Sequence, residues 1–234
     1  MSELIGPVLE PANGNPPRKL VILLHGYGSD GNDLIGLGEF WAQGFPDVRF
    51  VSPNAPHTCG VNPFGFEWFP LDLERGDGDY EAGAESAYPA IRDYVLQKTE
   101  EAGLTLGDVV LGGFSQGAMM ALYTGLQFEE PLAGILGFSG KLVDLENIGD
   151  LIESKPPICL VHGQDDEVVP VEGSLTAKEA LEHYWLNVSI HISQKTGHSI
   201  AMDGLQFATG FLSRVLSPKG VGEDVAKDEF GEGV

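Results

Sequence analysis

The sequence predicts an α/β fold in which helices cover both faces of a mostly parallel central sheet. Apolar, β-branched runs alternate along the chain with helical stretches, which is the pattern of strands connected by helices. The chain has 234 residues, 42% of them hydrophobic, and this is enough to bury a sizeable core. We therefore expect one α/β domain over residues 1–216.

Apolar runs bounded by turn residues predict the strands. They cover residues 19–26, 48–56, 109–111, 132–140, 156–163 and 187–193. Helices are predicted for residues 81–102, 175–185 and 204–216, and a further helix follows the strand at 109–111. Pro89 lies in the first of these helices, which predicts either a kink or a later start.

Two segments fall outside this pattern. Residues 57–79 have no regular period but are rich in aromatics. Because long loops in compact domains tend to be functional, we interpret this segment as one wall of a binding groove. Residues 217–234 carry five acids, two lysines and four glycines with little that packs, which predicts a mobile acidic tail.

Composition narrows the classes of function. The formal net charge of −22 argues against nucleic acids and anionic membrane surfaces as partners. No apolar run reaches the roughly 18 residues of a membrane span, and the N-terminus lacks the pattern of a signal peptide. Cys59 and Cys159 form neither a disulfide framework nor a metal-ligand spacing. We expect a cytoplasmic protein without stable membrane insertion and without a bound metal.

The stretch VVLGGFSQGAMMAL, residues 109–122, carries the most informative motif. A strand, the pentapeptide G-x-S-x-G and a helix follow one another, the context in which the serine is a nucleophile on a sharp turn. Gly113 and Gly117 leave room for the close approach of chain on either side of Ser115. The turn also leaves the Gln116 N–H at a helix N-terminus, where developing negative charge is stabilised.

The alternative is that Ser115 is only a small residue in a tight turn. Glycine is abundant in this chain, at 32 residues, so a chance match to three positions is plausible. The flanking strand and helix favour the nucleophile, but a serine nucleophile also needs a base and an acid to orient that base.

His198 is the candidate base. It follows the strand at 187–193 and precedes the last helix, where a loop-borne imidazole can approach the serine. His25 and His162 lie in His-Gly pairs at strand ends, and we interpret them as structural residues that hydrogen-bond the turn. The alternative for His198 is also a satisfied polar side chain with no catalytic role.

The candidate acid lies in the loop after the strand at 156–163. Asp165, Asp166 and Glu167 are adjacent there; Asp166 is our first choice, Asp165 the second, and at least two of the three are solvated turn residues. A carboxylate in this loop would hold the neutral tautomer of the histidine and stabilise the imidazolium. The chain order Ser115, Asp166, His198 is that of the α/β-hydrolase arrangement.

An oxyanion hole needs a second N–H from the loop after an early strand. LLHGYGSDGNDL supplies such a loop, and we pair the Tyr27 N–H with the Gln116 N–H. The alternative is a plain glycine-rich turn. In the 57–79 segment Trp68 and Phe69, with Phe64 and Phe66, are candidates for substrate contacts, or equally for core residues that anchor the loop.

These residues resemble the carboxylesterase/phospholipase family that includes the acyl-protein thioesterases. The resemblance runs from about Lys19 to Leu216 and rests on LLHGYGSDGNDL, SPNAP, EWF, GGFSQGAMMAL, GFSGKL, HGQDDEVVP and the final GH. It implies an α/β-hydrolase core without a large lid domain, serine-ester chemistry, no cofactor, and a homodimer as one assembly. It also implies Asp166, rather than Asp165, as the acid.

The resemblance implies substrates among carboxylic esters, lysophospholipids and acyl thioesters on protein cysteines. The 57–79 segment departs from the pattern of the depalmitoylating members, so our hypothesis is hydrolysis of short- to medium-chain acyl esters through an acyl-enzyme. The alternatives are an acyl-protein thioesterase, a serine peptidase of the same fold, an acyltransferase and, from another class, a non-catalytic binding module.

Overall fold

The structure is a computed structural model that describes residues 4–71 and 80–217. The strands in these residues are β1 (Val8–Leu9), β2 (Lys19–Leu24), β3 (Val48–Val51), β4 (His57–Thr58), β5 (Phe66–Glu67), β6 (Val109–Phe114), β7 (Gly134–Phe138), β8 (Ile158–Gly163) and β9 (Val188–Ser193). The α-helices are α1 (Gly31–Trp41), α2 (Tyr80–Glu101), α3 (Gln116–Gly125), α4 (Ile148–Leu151), α5 (Glu172–His183) and α6 (Met202–Val215).

The central sheet has seven strands in the order β1-β3-β2-β6-β7-β8-β9. Only the pairing of β1 with β3 is antiparallel, and the other five pairings are parallel. The predicted fold class is confirmed, including the mostly parallel sheet. Strands β4 and β5 form a separate two-stranded hairpin.

The two faces of the sheet are covered by different helices. Alternate residues of β2 point to opposite sides, so that Ile22 belongs to the buried cluster that includes residues of α2, α3 and α5, and Leu23 belongs to the cluster that includes residues of α1 and α6. The central strands are apolar on both faces, as expected for a parallel sheet between two helical layers. No helix within the described ranges is both long and apolar enough to span a membrane.

The six predicted strands are all present, with shifted ends. The strand predicted for 48–56 ends at Val51, because Pro53, two residues further on, cannot donate to the ladder. Helix α2 begins at Tyr80 and contains Pro89, so a start after the proline is wrong.

Helix α1 is not predicted by the sequence. Three glycines lower its helix propensity, but the Asp30 side chain caps it by accepting from the Asp33 N–H at 3.0 Å. Gly38 is required by packing, since a Cβ there would lie 2.9 Å from Phe50 Cβ. The close approach of α1 to β3 therefore offsets its weak propensity.

The predicted groove segment, 57–79, is described only to residue 71. Its first part forms the β4–β5 hairpin, and the predicted tail lies outside the described residues beyond 217. Phe66 N–H donates to Ser29 O at 2.8 Å, and Gly28 N–H donates to Phe66 O at 2.9 Å. The hairpin thus lies against the loop that follows β2.

Candidate active site

Ser115 occupies a sharp turn between β6 and α3. Its backbone has φ 54° and ψ −118°, a conformation that non-glycine residues rarely adopt. A Cβ on Gly113 would lie 2.3 Å from Gly117 C, and one on Gly117 would overlap the Leu24 carbonyl. Both glycines are therefore required by close backbone contacts, which is the steric reason proposed for the G-x-S-x-G spacing.

The structure brings Ser115, His198 and Asp166 into one hydrogen-bonded chain. Ser115 Oγ lies 2.9 Å from His198 Nε2, and His198 Nδ1 lies 2.7 Å from Asp166 Oδ2. This geometry fits a neutral imidazole that donates through Nδ1 to the carboxylate and accepts the serine proton at Nε2. The His198 ring also packs on Phe114, with the two ring centroids 4.8 Å apart.

Asp166 is held as a carboxylate by its surroundings. Burial alone acts to raise its pKa, but hydrogen bonds from His198 and from the Val169 and Val168 N–H groups outweigh burial and lower the pKa. Both backbone groups donate to Oδ1 at 2.9 Å, which leaves Oδ2 for the histidine. Asp165, the second choice from the sequence, has an exposed side chain and makes no contact of this kind.

His162 contacts Asp166 as well as the turn that follows β8. Its Nε2 is 2.8 Å from Val169 O and 3.3 Å from Asp166 Oδ2, and its Nδ1 is 2.7 Å from Ser174 Oγ. Sequence reasoning assigned His162 to the turn, and this contact with the acid is additional. The one signal for it in the sequence is a histidine four residues before the aspartate at the end of a strand.

The loop after β2 approaches the serine closely. A Cβ on Gly26 would lie 3.4 Å from Ser115 Cβ, and Gly28 has φ 74°. Tyr27 lies between these glycines, and Gln116 is the first residue of α3, so its N–H has no acceptor within the helix. The two predicted oxyanion donors thus belong to two backbone segments that lie close to the serine. Their pairing at an oxyanion stays a prediction.

Trp68 and Phe69 do not form an open groove wall. Each is 1% exposed and packs in the core, so the sequence-based assignment of these two side chains to substrate contact is not supported by their position. Phe66 is partly buried beside them, whereas Phe64 is 89% exposed at the hairpin tip. The anchoring alternative fits the buried pair.

The side chain of Gln116 has a role that the sequence analysis did not identify. It is 1% exposed; its Oε1 accepts from the Trp68 N–H at 3.0 Å and its Nε2 donates to Phe69 O at 2.8 Å. An amide side chain at the start of a wholly buried helix is the signal that could have revealed it, because buried polar groups require partners.

Two cysteines and several potential metal ligands also lie within the described residues. Cys59 and Cys159 are both free and buried, and burial raises the pKa of the Cys159 thiol to about 12. Among residues 4–71 and 80–217, no cluster of three or more histidine, cysteine or acidic side chains has an arrangement that could hold a metal ion.

Comparison with known proteins shows the family to which this chain belongs. The family model for phospholipases and carboxylesterases matches residues 9–216. Acyl-protein thioesterase 1 of Aspergillus fumigatus is 31% identical over 221 residues, which cover 87% of this chain and 90% of the relative. Esterase YpfH of Escherichia coli is 30% identical over 205 residues, 87% of this chain and 85% of the relative.

Solved structures agree with the sequence comparison. The crystal structure of esterase PE8 is 53% identical, with a TM-score of 0.89 over 92% of this chain and 100% of the solved one. Acyl-protein thioesterase 2 of Zea mays, at 24% identity and a TM-score of 0.70, shares the fold. The chain belongs to the phospholipase/carboxylesterase family of serine hydrolases that act on ester bonds.

Proposed function

We propose that this protein hydrolyses short- to medium-chain acyl esters, with Ser115 as nucleophile, His198 as general base and Asp166 as its orienting acid. The observation that carries the proposal is the continuous hydrogen-bonded chain from Ser115 Oγ through His198 to Asp166 Oδ2. Ser115 combines a left-handed backbone conformation with a hydroxyl that contacts His198, which is itself bonded to Asp166. A residue that served only to form the turn would not require these two contacts.

The reaction proceeds in two half-reactions. His198 Nε2 takes the Ser115 proton as Oγ attacks the acyl carbon, and the N–H groups of Tyr27 and Gln116 stabilise the tetrahedral oxyanion. His198 then protonates the leaving alcohol or thiol as its bond to the acyl carbon breaks, leaving an acyl-enzyme on Ser115. A water molecule, deprotonated by His198, attacks the acyl carbon. The bond between the acyl carbon and Ser115 Oγ then breaks, Oγ takes the proton from His198, and the carboxylic acid leaves.

The relatives support two substrate classes. The 53% identity to an esterase favours oxygen esters, and the similarity to fungal acyl-protein thioesterases makes acyl-protein thioesterase activity a second candidate. Both activities use the same two half-reactions and differ in the leaving group. Lysophospholipids form a third ester class of the same chemistry.

The proposal is tested with p-nitrophenyl esters from acetate to palmitate, measured for the natural protein and for Ser115→Ala. We expect Ser115→Ala to lower turnover by about 10⁴-fold or more. Ser139→Ala is the matched control, because Ser139 also has a positive φ, 50°, directly after the adjacent β7, and is not a member of the proposed triad. Equal hydrolysis by Ser115→Ala and the natural protein would rule out the mechanism.

The same series run with acyl thioesters separates the two candidate substrate classes. A higher kcat/KM for oxygen esters supports the esterase, and a higher value for long-chain thioesters supports the thioesterase.

We also propose that the protein is cytoplasmic, which is supported by two unpaired, buried cysteines. Homodimer formation, proposed from the family resemblance, is tested by light scattering of the purified protein.

A further inference from the structure

We infer that Trp68 is a positioning residue for the oxyanion hole: it joins the two backbone segments that present the Tyr27 and Gln116 N–H groups. The inference rests on the proposed function, since an oxyanion forms only if Ser115 attacks an acyl carbon. It assigns to a buried tryptophan a role in the reaction without contact with the substrate.

Trp68 makes one hydrogen bond to each segment. Its backbone N–H donates to Gln116 Oε1 at 3.0 Å, and its indole Nε1–H donates to His25 O at 2.9 Å. All three residues are at most 1% exposed, so water is not available to replace either bond. A donor or acceptor left without its partner here favours movement of the backbone.

The first bond acts on the helix that carries the serine. Gln116 supplies one predicted oxyanion donor from its own backbone, and its side chain spans from that position to Trp68 N–H and Phe69 O. The two bonds use both ends of the amide, which orients the side chain and restrains the first turn of α3 against the segment after β5.

The second bond acts on the loop that carries Tyr27. His25 begins this loop, and its ring is itself held: Ala55 N–H donates to Nε2 at 3.0 Å, so Nδ1 carries the proton and donates to Gly26 O at 2.8 Å. Trp68 packs on the same ring, with the centroids 5.3 Å apart. The loop is therefore restrained by both its carbonyl and its imidazole, two residues before Tyr27.

The hairpin completes the support from the far side of the loop. Gly28 accepts at its carbonyl from Asn62 Nδ2 at 2.7 Å and donates its N–H to Phe66 O. The segment 62–69 thus contacts the loop both before and after Tyr27, and also contacts Gln116. Trp68 therefore hydrogen-bonds both donor-bearing segments, one through its backbone N–H and the other through its indole N–H.

Such support matters because an oxyanion hole works through preorganised donors. Hydrogen bonds to a developing oxyanion accelerate the reaction only when the N–H groups already point at it, and loss of one donor costs about 10²- to 10³-fold in kcat. A shift of both donors by a fraction of an ångström is expected to cost part of this, about 10- to 100-fold, in kcat rather than in KM.

The test is Trp68→Phe, which keeps an aromatic ring and removes the indole donor. The matched control is Trp41→Phe: Trp41 is also 1% exposed, its Nε1–H donates to Thr209 Oγ1 at 2.9 Å, and it packs on the other face of the sheet. Active sites are counted by stoichiometric phosphonylation of the serine with a fluorophosphonate. Rates are compared for an oxygen ester and the matching thionoester, whose C=S sulfur is a weak hydrogen-bond acceptor.

We expect Trp68→Phe to lower kcat per titrated site about 10- to 100-fold for the oxygen ester, at nearly unchanged KM. The thionoester rate should fall less, so the ratio of oxygen ester to thionoester falls. Trp41→Phe should keep the ratio of the natural protein. Gln116→Met, which removes both side-chain bonds and keeps the backbone N–H, provides the same measurement if Trp68→Phe does not fold.

If Trp68→Phe keeps both the ratio of oxygen-ester to thionoester rates and the kcat per titrated site of the natural protein, the positioning role is overturned and the proposed esterase activity stands. Equal losses for both substrates would overturn it as well, because they indicate general damage to the fold. If instead the natural protein hydrolyses neither substrate in a Ser115-dependent way, the proposed function fails first.

Discussion

His162 Nε2 lies 3.3 Å from Asp166 Oδ2, the carboxylate oxygen that also accepts the Nδ1 proton of His198. The carboxylate is therefore flanked by two imidazoles, one in the proposed triad and one buried behind it. His162 also donates to Val169 O, whose residue in turn donates its N–H to Asp166 Oδ1. Residues 166–169 are thus hydrogen-bonded to one another and to the His162 ring.

This relationship predicts different effects for two substitutions of His162. His162→Phe removes the donor and should lower kcat/KM about 10- to 100-fold, because the acid loop loses its support. His162→Gln places an amide donor near Nε2 and should recover most of the loss. The measurement is the pH profile of kcat/KM for both variants. Equal rates for glutamine and phenylalanine would argue against a role of the Nε2 donor.

Gly117 predicts a severe packing defect. An added Cβ would overlap the Leu24 carbonyl, so Gly117→Ala should destabilise the fold by about 3 kcal/mol or more, or prevent folding. The matched control is Gly36→Ala, at an exposed site in α1 where an added Cβ meets no atom within 4 Å. That variant should gain about 0.5–1 kcal/mol in urea unfolding. Similar effects of both substitutions would contradict the steric argument.

The interactions of Asp108 predict that the folded protein loses stability in acid. Burial acts to raise its pKa, but the ion pair with Lys19, 2.7 Å away, and hydrogen bonds from Thr105 outweigh burial and lower the pKa. Because the folded-state pKa is below the unfolded value of about 3.9, the stabilisation is present above that value and is lost as pH falls through the folded pKa.

Urea unfolding of the natural protein and of Asp108→Asn, from pH 7 to pH 3, measures this effect. The difference in unfolding free energy should be constant above about pH 5 and should shrink below about pH 4. A difference that grows as the solution becomes more acidic would have the wrong sign for a lowered pKa.

The net charge of −22 predicts stabilisation by salt. Repulsion among excess carboxylates opposes the compact state, and ions screen it, since the screening length falls to about 3 Å at 1 M. The melting temperature should rise between 0.05 and 1 M NaCl, with the same rise in KCl because screening does not depend on the cation. A melting temperature that is constant or falls with salt would exclude this repulsion as a significant term.

The sequence predicts the strands and the order of the site residues because these depend on local signals. The apolar runs are bounded by turn residues, and Gly113 and Gly117 mark a turn that leaves space for backbone alone. His198 and Asp166 are found because each must follow a strand, and the carboxyl ends of parallel strands share one edge of the sheet. Their contact with Ser115 follows from that shared edge.

The remaining features depend on contacts between distant segments. Helix α1 contains three glycines, and its stability comes from Gly38 fitting against Phe50, which no local propensity reveals. Trp68 is equally suited by composition to a groove wall or to a core, and only the partners of its indole and N–H decide between them. The bonds of Gln116 likewise join positions 47 and 48 residues apart in the chain.

The hairpin contacts also bear on how this site can acquire new substrates. The loop at 25–29 is held by main-chain bonds on the side of the hairpin, so mutations there are constrained by the backbone of the partner segment. Exposed apolar side chains that are not part of this loop lie at the hairpin tip, where Phe64 is 89% exposed, and in the segments after β7 and β8, where Leu145 and Val168 are 42% and 68% exposed. Variation in selectivity, whether by natural divergence or by directed evolution, is expected to concentrate on these exposed side chains rather than on the loop at 25–29.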